Sequence, residues 1–441
     1  MTPFVPSVET TLRVDVERSS ASMPRRNLTK KIPGSVWLLG VVSFFNDLSS
    51  EMLYPLLPIF ITQVLGAPVA ILGLIDGAAE GASAGFKVLF GRWSDRLGRR
   101  RPFVFYGYVA SAVSKAVVAA STTWGLVFVG RLLDKFGKGV RTGARDALLL
   151  SDSNSMNRGR VFGVQQSLDS AGAVAGPLLA LLLLHSFAND IRTVLYIAII
   201  PSVITVLLVL FVREAIAKSQ QPGVRDVTSE SAAPTGRDDK ILVPAPRRTL
   251  RSLPTELRLF LIASGLFALG NSSDSFLILR ARSVGLSISL VILAYVLYNV
   301  VYSVASTPAG IVADRIGPKR VYIAGVAVYV IVYAGFAINR SVTGVWVLFS
   351  IYGLYIALTD SVSRALVGSY VVDQREAAGI YGLMQTVVSV GLVLASVIGG
   401  VLWSTVGAWA TFAFGAGCAV AALLLLLLTS TRRPEPHHIL R

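Results

Sequence analysis

The 441-residue chain holds one cysteine, Cys418, and three histidines. A lone thiol excludes an intrachain disulfide and any paired-cysteine centre, so sulfur chemistry says nothing about compartment. His185 stands near a turn and His437 and His438 near the end of the chain, none with other ligand-type residues around it, so no metal site is expected. Charge is also scarce. Asp, Glu, Lys and Arg make up 15% of the residues against 53% hydrophobic, with a mean hydropathy of +0.64. Such a balance excludes an ordinary water-soluble enzyme. There is no glycine-rich phosphate loop and no Ser/His/Asp or paired-Cys arrangement. The chain is therefore not expected to be an enzyme, to burn ATP itself or to carry a cofactor. The first 34 residues contain Arg25, Arg26, Lys30 and Lys31 but no apolar core of signal-peptide length, so no cleaved leader is expected.

Long apolar runs are what the chain has. A helix needs about 20 apolar residues to cross a membrane, and twelve stretches qualify: 36–64, 69–90, 102–121, 124–149, 160–186, 192–212, 257–281, 286–311, 320–338, 343–371, 377–403 and 407–429. Lys and Arg collect in alternate connections: Arg92, Arg96, Arg99, Arg100 and Arg101, then Arg158 and Arg160, then Arg315, Lys319 and Arg320, then Arg375, then Arg432 and Arg433. The turns near Gly66, Thr122 and Thr405 carry none. Short-loop cations mark the cytoplasmic side, which places both termini inside a plasma (inner) membrane. The net charge of +16 is thereby explained by topology, and no nucleic-acid partner is expected. The domain expectation is a tail at 1–35, a bundle at 36–212, a Pro- and Ser/Thr-rich linker at 213–255, a bundle at 256–429 and a tail at 430–441.

Sliding the second half back by 219 positions aligns Gly66 with Gly285, Gly91 with Gly310, Asp95 with Asp314, Arg96 with Arg315, Gly98 with Gly317, Arg145 with Arg364, Gly163 with Gly382, Gln166 with Gln385 and Gly172 with Gly391. An internal repeat of this length means two related bundles with a site at their interface near the membrane midplane. Its strongest local motif is Gly91-Arg-Trp-Ser-Asp95-Arg96-Leu-Gly98-Arg99-Arg100-Arg101, echoed by Gly310-Ile-Val-Ala-Asp314-Arg315-Ile-Gly317. It reads as a tight turn in which glycines permit backbone that a Cβ would block and Asp95 accepts from amides or a cation.

These residues resemble the loop signature of the major facilitator superfamily, and the resemblance spans residues 36–429. It implies an all-α membrane protein of twelve transmembrane helices in two pseudo-symmetric six-helix bundles, working by alternating access, with the loops at Gly91, Asp95, Arg96, Gly98, Arg99, Gly310, Asp314, Arg315 and Gly317 as gates. Gly172-Ala-Val-Ala-Gly176-Pro177 is similar to the antiporter motif of the superfamily's drug and metabolite exporters, with Ala180 and Leu181 in place of its closing glycines.

Ionisable groups inside a span are functional candidates by default. Asp47 and Glu51 share one face of the first stretch, and Asp76 and Glu80 one face of the second. The fourth carries Arg131, Asp134, Lys135, Lys138, Arg141, Thr142 and Arg145 at three- and four-residue intervals, a cationic stripe that cannot face lipid. It is expected to line the cavity or to pair with carboxylates such as Asp169. Arg131 is expected to adjust the proton affinity of Asp47 or Glu51, and it is similar to an arginine that the family's exporters carry there. The second half offers Asp274, Asp360 and Arg364 in its spans, with Tyr54 and Tyr298 as aromatic candidates. The functional expectation is a proton-coupled exporter of a small organic or amphipathic compound, monomeric, with protons and membrane lipid as its other partners. Two alternatives stay open: uptake or exchange of a small anionic metabolite held by the cationic stripe, and a non-transporting scaffold or sensor.

Overall fold

The computed structural model describes residues 33–97, 100–151, 158–212, 255–370 and 374–428. Their helices form twelve segments: α1 Gly34–Leu53, continued by Leu57–Ile59 and a π-helical turn Phe60–Val64; α2 Val69–Leu97; α3 Arg101–Ala119; α4 Trp124–Ser151; α5 Arg158–Ser186; α6 Ile191–Ile197 and Ile199–Val209; α7 Thr255–Gly270 and Ser275–Ser283; α8 Ile288–Ile316; α9 Pro318–Ile338; α10 Val342–Tyr370; α11 Gln374–Thr405; and α12 Ala408–Leu428. Among the described residues, ten of these are long and apolar enough to cross a membrane by length and composition. The two that are not are α1 and α4, and α4 carries the cationic stripe.

Three expected segments are interrupted. The first breaks after Leu53, where Pro55 and Pro58 remove donors and clash with the preceding turn. The helix restarts with Phe60 N–H donating to Leu56 and Leu65 N–H to Phe60, the latter spanning five residues. The seventh, expected unbroken over 257–281, is cut at Asn271–Asp274, where Ser and Asn side chains compete with the helical ladder. The sixth is interrupted at Ala198. The repeat is visible in these breaks: Tyr54 in α1 stands 219 positions before Ser273 in α7.

The turns repeat as well. Gly66 and Gly285, repeat partners, both hold positive φ, +67° and +109°, in the left-handed region a glycine enters without strain. The motif after α2 is otherwise than expected: Gly91 to Leu97 are the last turns of that helix rather than a turn, while Gly98 and Arg99 lie outside the described residues. Its echo shows the same arrangement, with Gly310, Asp314 and Arg315 in the closing turns of α8 and Gly317 at φ +95° making the bend. Asp314 and Arg315 are exposed.

Within each half, α1 packs on α5 and α7 on α11. Glycines make these contacts backbone to backbone. A Cβ on Gly172 would lie 2.7 Å from the Phe44 carbonyl, and one on Gly176 2.7 Å from that of Leu48 and 2.8 Å from Glu51 Cβ. α5 runs unbroken through Pro177. The halves meet through α2 with α11, α5 with α8, and the far ends of α1 and α7. Gly73 and Gly400 put the α2 and α11 backbones in direct contact, and Ala70 N–H donates to Ser404 Oγ at 2.9 Å. That is the end away from Arg100, Arg101, Arg315 and Arg320. Toward the cation-rich end the same helices part: hypothetical Cβ atoms on Gly85, Gly163, Gly310 and Gly382 meet nothing within 4 Å. Among the described residues, the far end is sealed and the cation-rich end is open.

Arginines at both ends cap helices. Arg100 donates to the Ala147 carbonyl and Arg101 to that of Leu210 near the open end; at the sealed end Arg280 reaches the carbonyls of Phe336, Ala337 and Asn339.

Candidate functional site at the interface of the two halves

The two helix breaks face each other. A cavity of about 180 Å³ lies between them, bounded by Tyr54, Asp76, Arg131, Asn271, Asp274 and Ser396. Asp76 on α2, 8% exposed, receives Arg131 of α4 at 3.6 Å. From the other half it accepts hydrogen bonds from Ser273 Oγ at 2.7 Å and Ser275 Oγ at 2.6 Å. One turn along the same two helices, Lys135 pairs with Glu80 at 3.1 Å.

A second bond crosses the interface between α8 and α1. Tyr295 of α8 donates its hydroxyl to Glu51 of α1 at 2.7 Å, with the Tyr54 ring 5.5 Å away. Tyr295 stands 219 positions after Asp76, so the two bonds occupy related places in the repeat. In both, the carboxylate belongs to the first half and the hydroxyl to the second. Bonds to an ionised acceptor are worth about 1.5–3 kcal/mol against about 0.5–1.5 for neutral ones.

Asp274, at the end of the α7 break, accepts from Tyr298 at 3.1 Å and from Tyr352 at 2.5 Å. It also borders a larger cavity of about 720 Å³ inside the second half, walled by Phe267, Tyr322, Tyr355 and Met384 and reaching Tyr381 near the open end. Asp360 lines the same cavity and receives Tyr302 at 3.4 Å.

The cationic stripe of α4 does not line a cavity as a unit. Arg131 and Lys135 are held by α2. Arg141 turns toward α3, donating to Ser111 at 2.5 Å and lying 4.6 Å over the Tyr108 ring. Arg145 reaches Asp146 at 3.2 Å, Asp169 at 3.9 Å and Ser43 at 3.0 Å. Lys138 alone is exposed with no partner among the described residues. Asp134 borders a space of about 30 Å³ with Lys115, room for about one water. The α4 register pairs Arg131 with Asp76 of α2 rather than with Asp47 or Glu51 of α1. Asp47 accepts from Asn46 at 2.9 Å. The side chains of Arg364, Gly91, Asp95 and Arg96 lie outside the described residues.

The sequence profile of the Major Facilitator Superfamily matches residues 39–279 and again 259–440. An uncharacterized MFS-type transporter of Methanocaldococcus jannaschii is 35% identical over 397 residues, 89% of this chain and 94% of that one. The chain belongs to the major facilitator superfamily. A class D tetracycline resistance protein of Salmonella ordonez is 29% identical over 198 residues, 44% of this chain and 48% of that one. Among solved structures, the nucleoside transporter NupG superposes with a TM-score of 0.73 at 15% identity, covering 91% of this chain and all of that one.

As a superfamily member the chain is a multi-pass membrane transporter of small molecules and not an enzyme. Its interface site draws on residues that the sequence did not single out. Ser275 and Tyr352 are ordinary helix residues until the α7 break brings them to carboxylates. Lys115 of α3, 3% exposed, donates to Ser202 Oγ at 2.7 Å and to the Asn46 carbonyl at 3.4 Å. A lysine midway along an apolar span was the available signal.

Proposed function

We propose that the protein is a proton-coupled exporter of a small organic or amphipathic compound, a monomer in the plasma (inner) membrane with both termini and the open end cytoplasmic. The observation that carries this reading is the crossed pair of bonds, Glu51 to Tyr295 and Asp76 to Ser273 and Ser275, at the seam between the halves. Ionised, both carboxylates hold charge-assisted bonds that favour a sealed far end. When the halves rock apart there, the bonds break and the carboxylates meet water on the far side, where they take protons as substrate leaves. Returning, the protein surrenders those protons toward the open side because re-forming the bonds favours the ionised acids. The partial likeness to a tetracycline resistance protein supports the outward direction.

Anion uptake along α4 has less support, because Arg131, Lys135 and Arg145 are paired with carboxylates and Arg141 packs on α3, which leaves Lys138 as the one exposed cation of the stripe among the described residues. The test uses everted vesicles with an acid lumen, read by acridine-orange fluorescence while candidate compounds are added. A transported compound should dissipate the gradient in the wild type, and Asp76→Asn or Glu51→Gln should reduce that response about tenfold, the rate equivalent of ~1.4 kcal/mol. Dissipation unchanged in both variants would contradict the proposal.

A further inference from the structure

The larger cavity in the second half differs in chemistry from the interface. Its described lining includes Asp274 and Asp360, the amides of Asn271 and Gln385 and several aromatic rings, and no Lys or Arg side chain. Asp274 is the informative member. Its only hydrogen-bond donors among the described residues are two neutral hydroxyls, those of Tyr298 and Tyr352. The nearest described cations of the first half, Arg131 and Lys135, are paired with Asp76 and Glu80 rather than with Asp274. A carboxylate walled by aromatics and held by neutral donors alone favours the arrival of a positive charge.

The walls suit the rest of such a ligand. Phe267 stands edge-on to Tyr329 and Tyr355, with ring centroids 4.9 and 6.0 Å away, an arrangement that fixes the ring orientations. Ring faces attract cations and repel anions. A volume of about 720 Å³ lies within the roughly 300–1,000 Å³ of sites that take drug-sized molecules. An anion would meet the Asp274 carboxylate there, with no Lys or Arg among the described lining residues.

We propose that this cavity binds an organic cation with an aromatic or bulky apolar body, its charge set against Asp274 and its body among Phe267, Tyr322 and Tyr355. The inference rests on the exporter reading in one respect: it names the class of compound that such an exporter would carry.

The test is equilibrium dialysis of the full chain in lipid nanodiscs against labelled tetraphenylphosphonium, with naphthalene-2-sulfonate as the aromatic anion. The wild type should bind the phosphonium saturably and the sulfonate not at all. Asp274→Asn should weaken phosphonium binding about tenfold or more, the loss expected of a partly buried charge pair, while Asp274→Glu should retain most of it. Phe267→Ala, which leaves every charge in place, should weaken it about fivefold. Saturable binding of the sulfonate, or phosphonium affinity unchanged in Asp274→Asn and Phe267→Ala alike, would overturn the proposal. Because dialysis requires neither a pH gradient nor transport, intact binding without gradient dissipation would defeat the exporter reading alone. Gradient dissipation by aromatic anions only would defeat this inference alone.

Discussion

At the scale of single residues, the molecule sets carboxylates of one half against hydroxyls of the other. Replacing Asp76 with Asn keeps an oxygen for Ser273 and Ser275 but removes the charge. The difference between charged and neutral hydrogen bonds, about 1 kcal/mol, corresponds to roughly fivefold more of the state with its far end open. In a Cys418→Ala background, Ser396→Cys should react about fivefold faster with a membrane-impermeant maleimide added on the far side once Asp76→Asn is introduced, since Ser396 is 5% exposed where α11 meets α2. An unchanged labelling rate would count against the latch. Lys115 offers a separate check. Lys115→Met should leave thermal unfolding nearly unchanged, because Ser202 keeps its bond to Ser49 at 2.8 Å. Ser202→Ala should cost about 1–3 kcal/mol, because a buried ammonium loses its shortest hydrogen bond. The reverse order would show that the amine itself holds the bundle together. At this scale the sequence was partly legible. Intramembrane charge announced Glu51, Asp76, Arg131 and Asp274, yet spacing alone could not say which acid meets which base. The Arg131 partner depends on how α4 is rotated against α2, and that rotation is set by tertiary packing.

At the scale of elements, glycine contacts and broken helices place the site. Gly176 lies against the backbone of α1 at the level of Glu51, so Gly176→Leu should prevent α5 from seating and lower the unfolding midpoint far more than Gly163→Leu, whose surroundings are open. Size-exclusion profiles and thermal unfolding in detergent check that order. The first part of α6 is capped at its N-terminus by Asp190, which accepts from Arg192 N–H at 3.0 Å and from Thr193 at 2.5 Å. The Thr193 hydrogen bond holds this carboxyl below the usual carboxylate range. A depressed folded-state value contributes stability that is present above the ordinary carboxylate pKa and lost as pH falls through the lowered one. Asp190→Ala should therefore lower the unfolding midpoint by about 2 °C at neutral pH, and by less in acid. An equal difference at both pH values would contradict the cap. Neither break was anticipated: Pro55 and Pro58 account for the one in α1, expected unbroken over 36–64, while Gly270-Asn-Ser-Ser-Asp274 contains no proline, and a run of small polar residues is compatible with an unbroken helix.

At the scale of the whole molecule, the twelve segments and their duplication were legible because hydropathy and a 219-residue offset are global signals that survive local error. The conformational state was not, since open and sealed ends differ only in how two similar halves lean. That lean is where the transport account rests. Spin labels on Val64→Cys and Val406→Cys, both exposed at the sealed end, in a Cys418→Ala background would report it by double electron–electron resonance. The account predicts one short distance population at alkaline pH, a growing longer population on acidification, and that longer population already present at neutral pH in Asp76→Asn and Glu51→Gln. Distance distributions that are independent of pH and identical in both variants would contradict it.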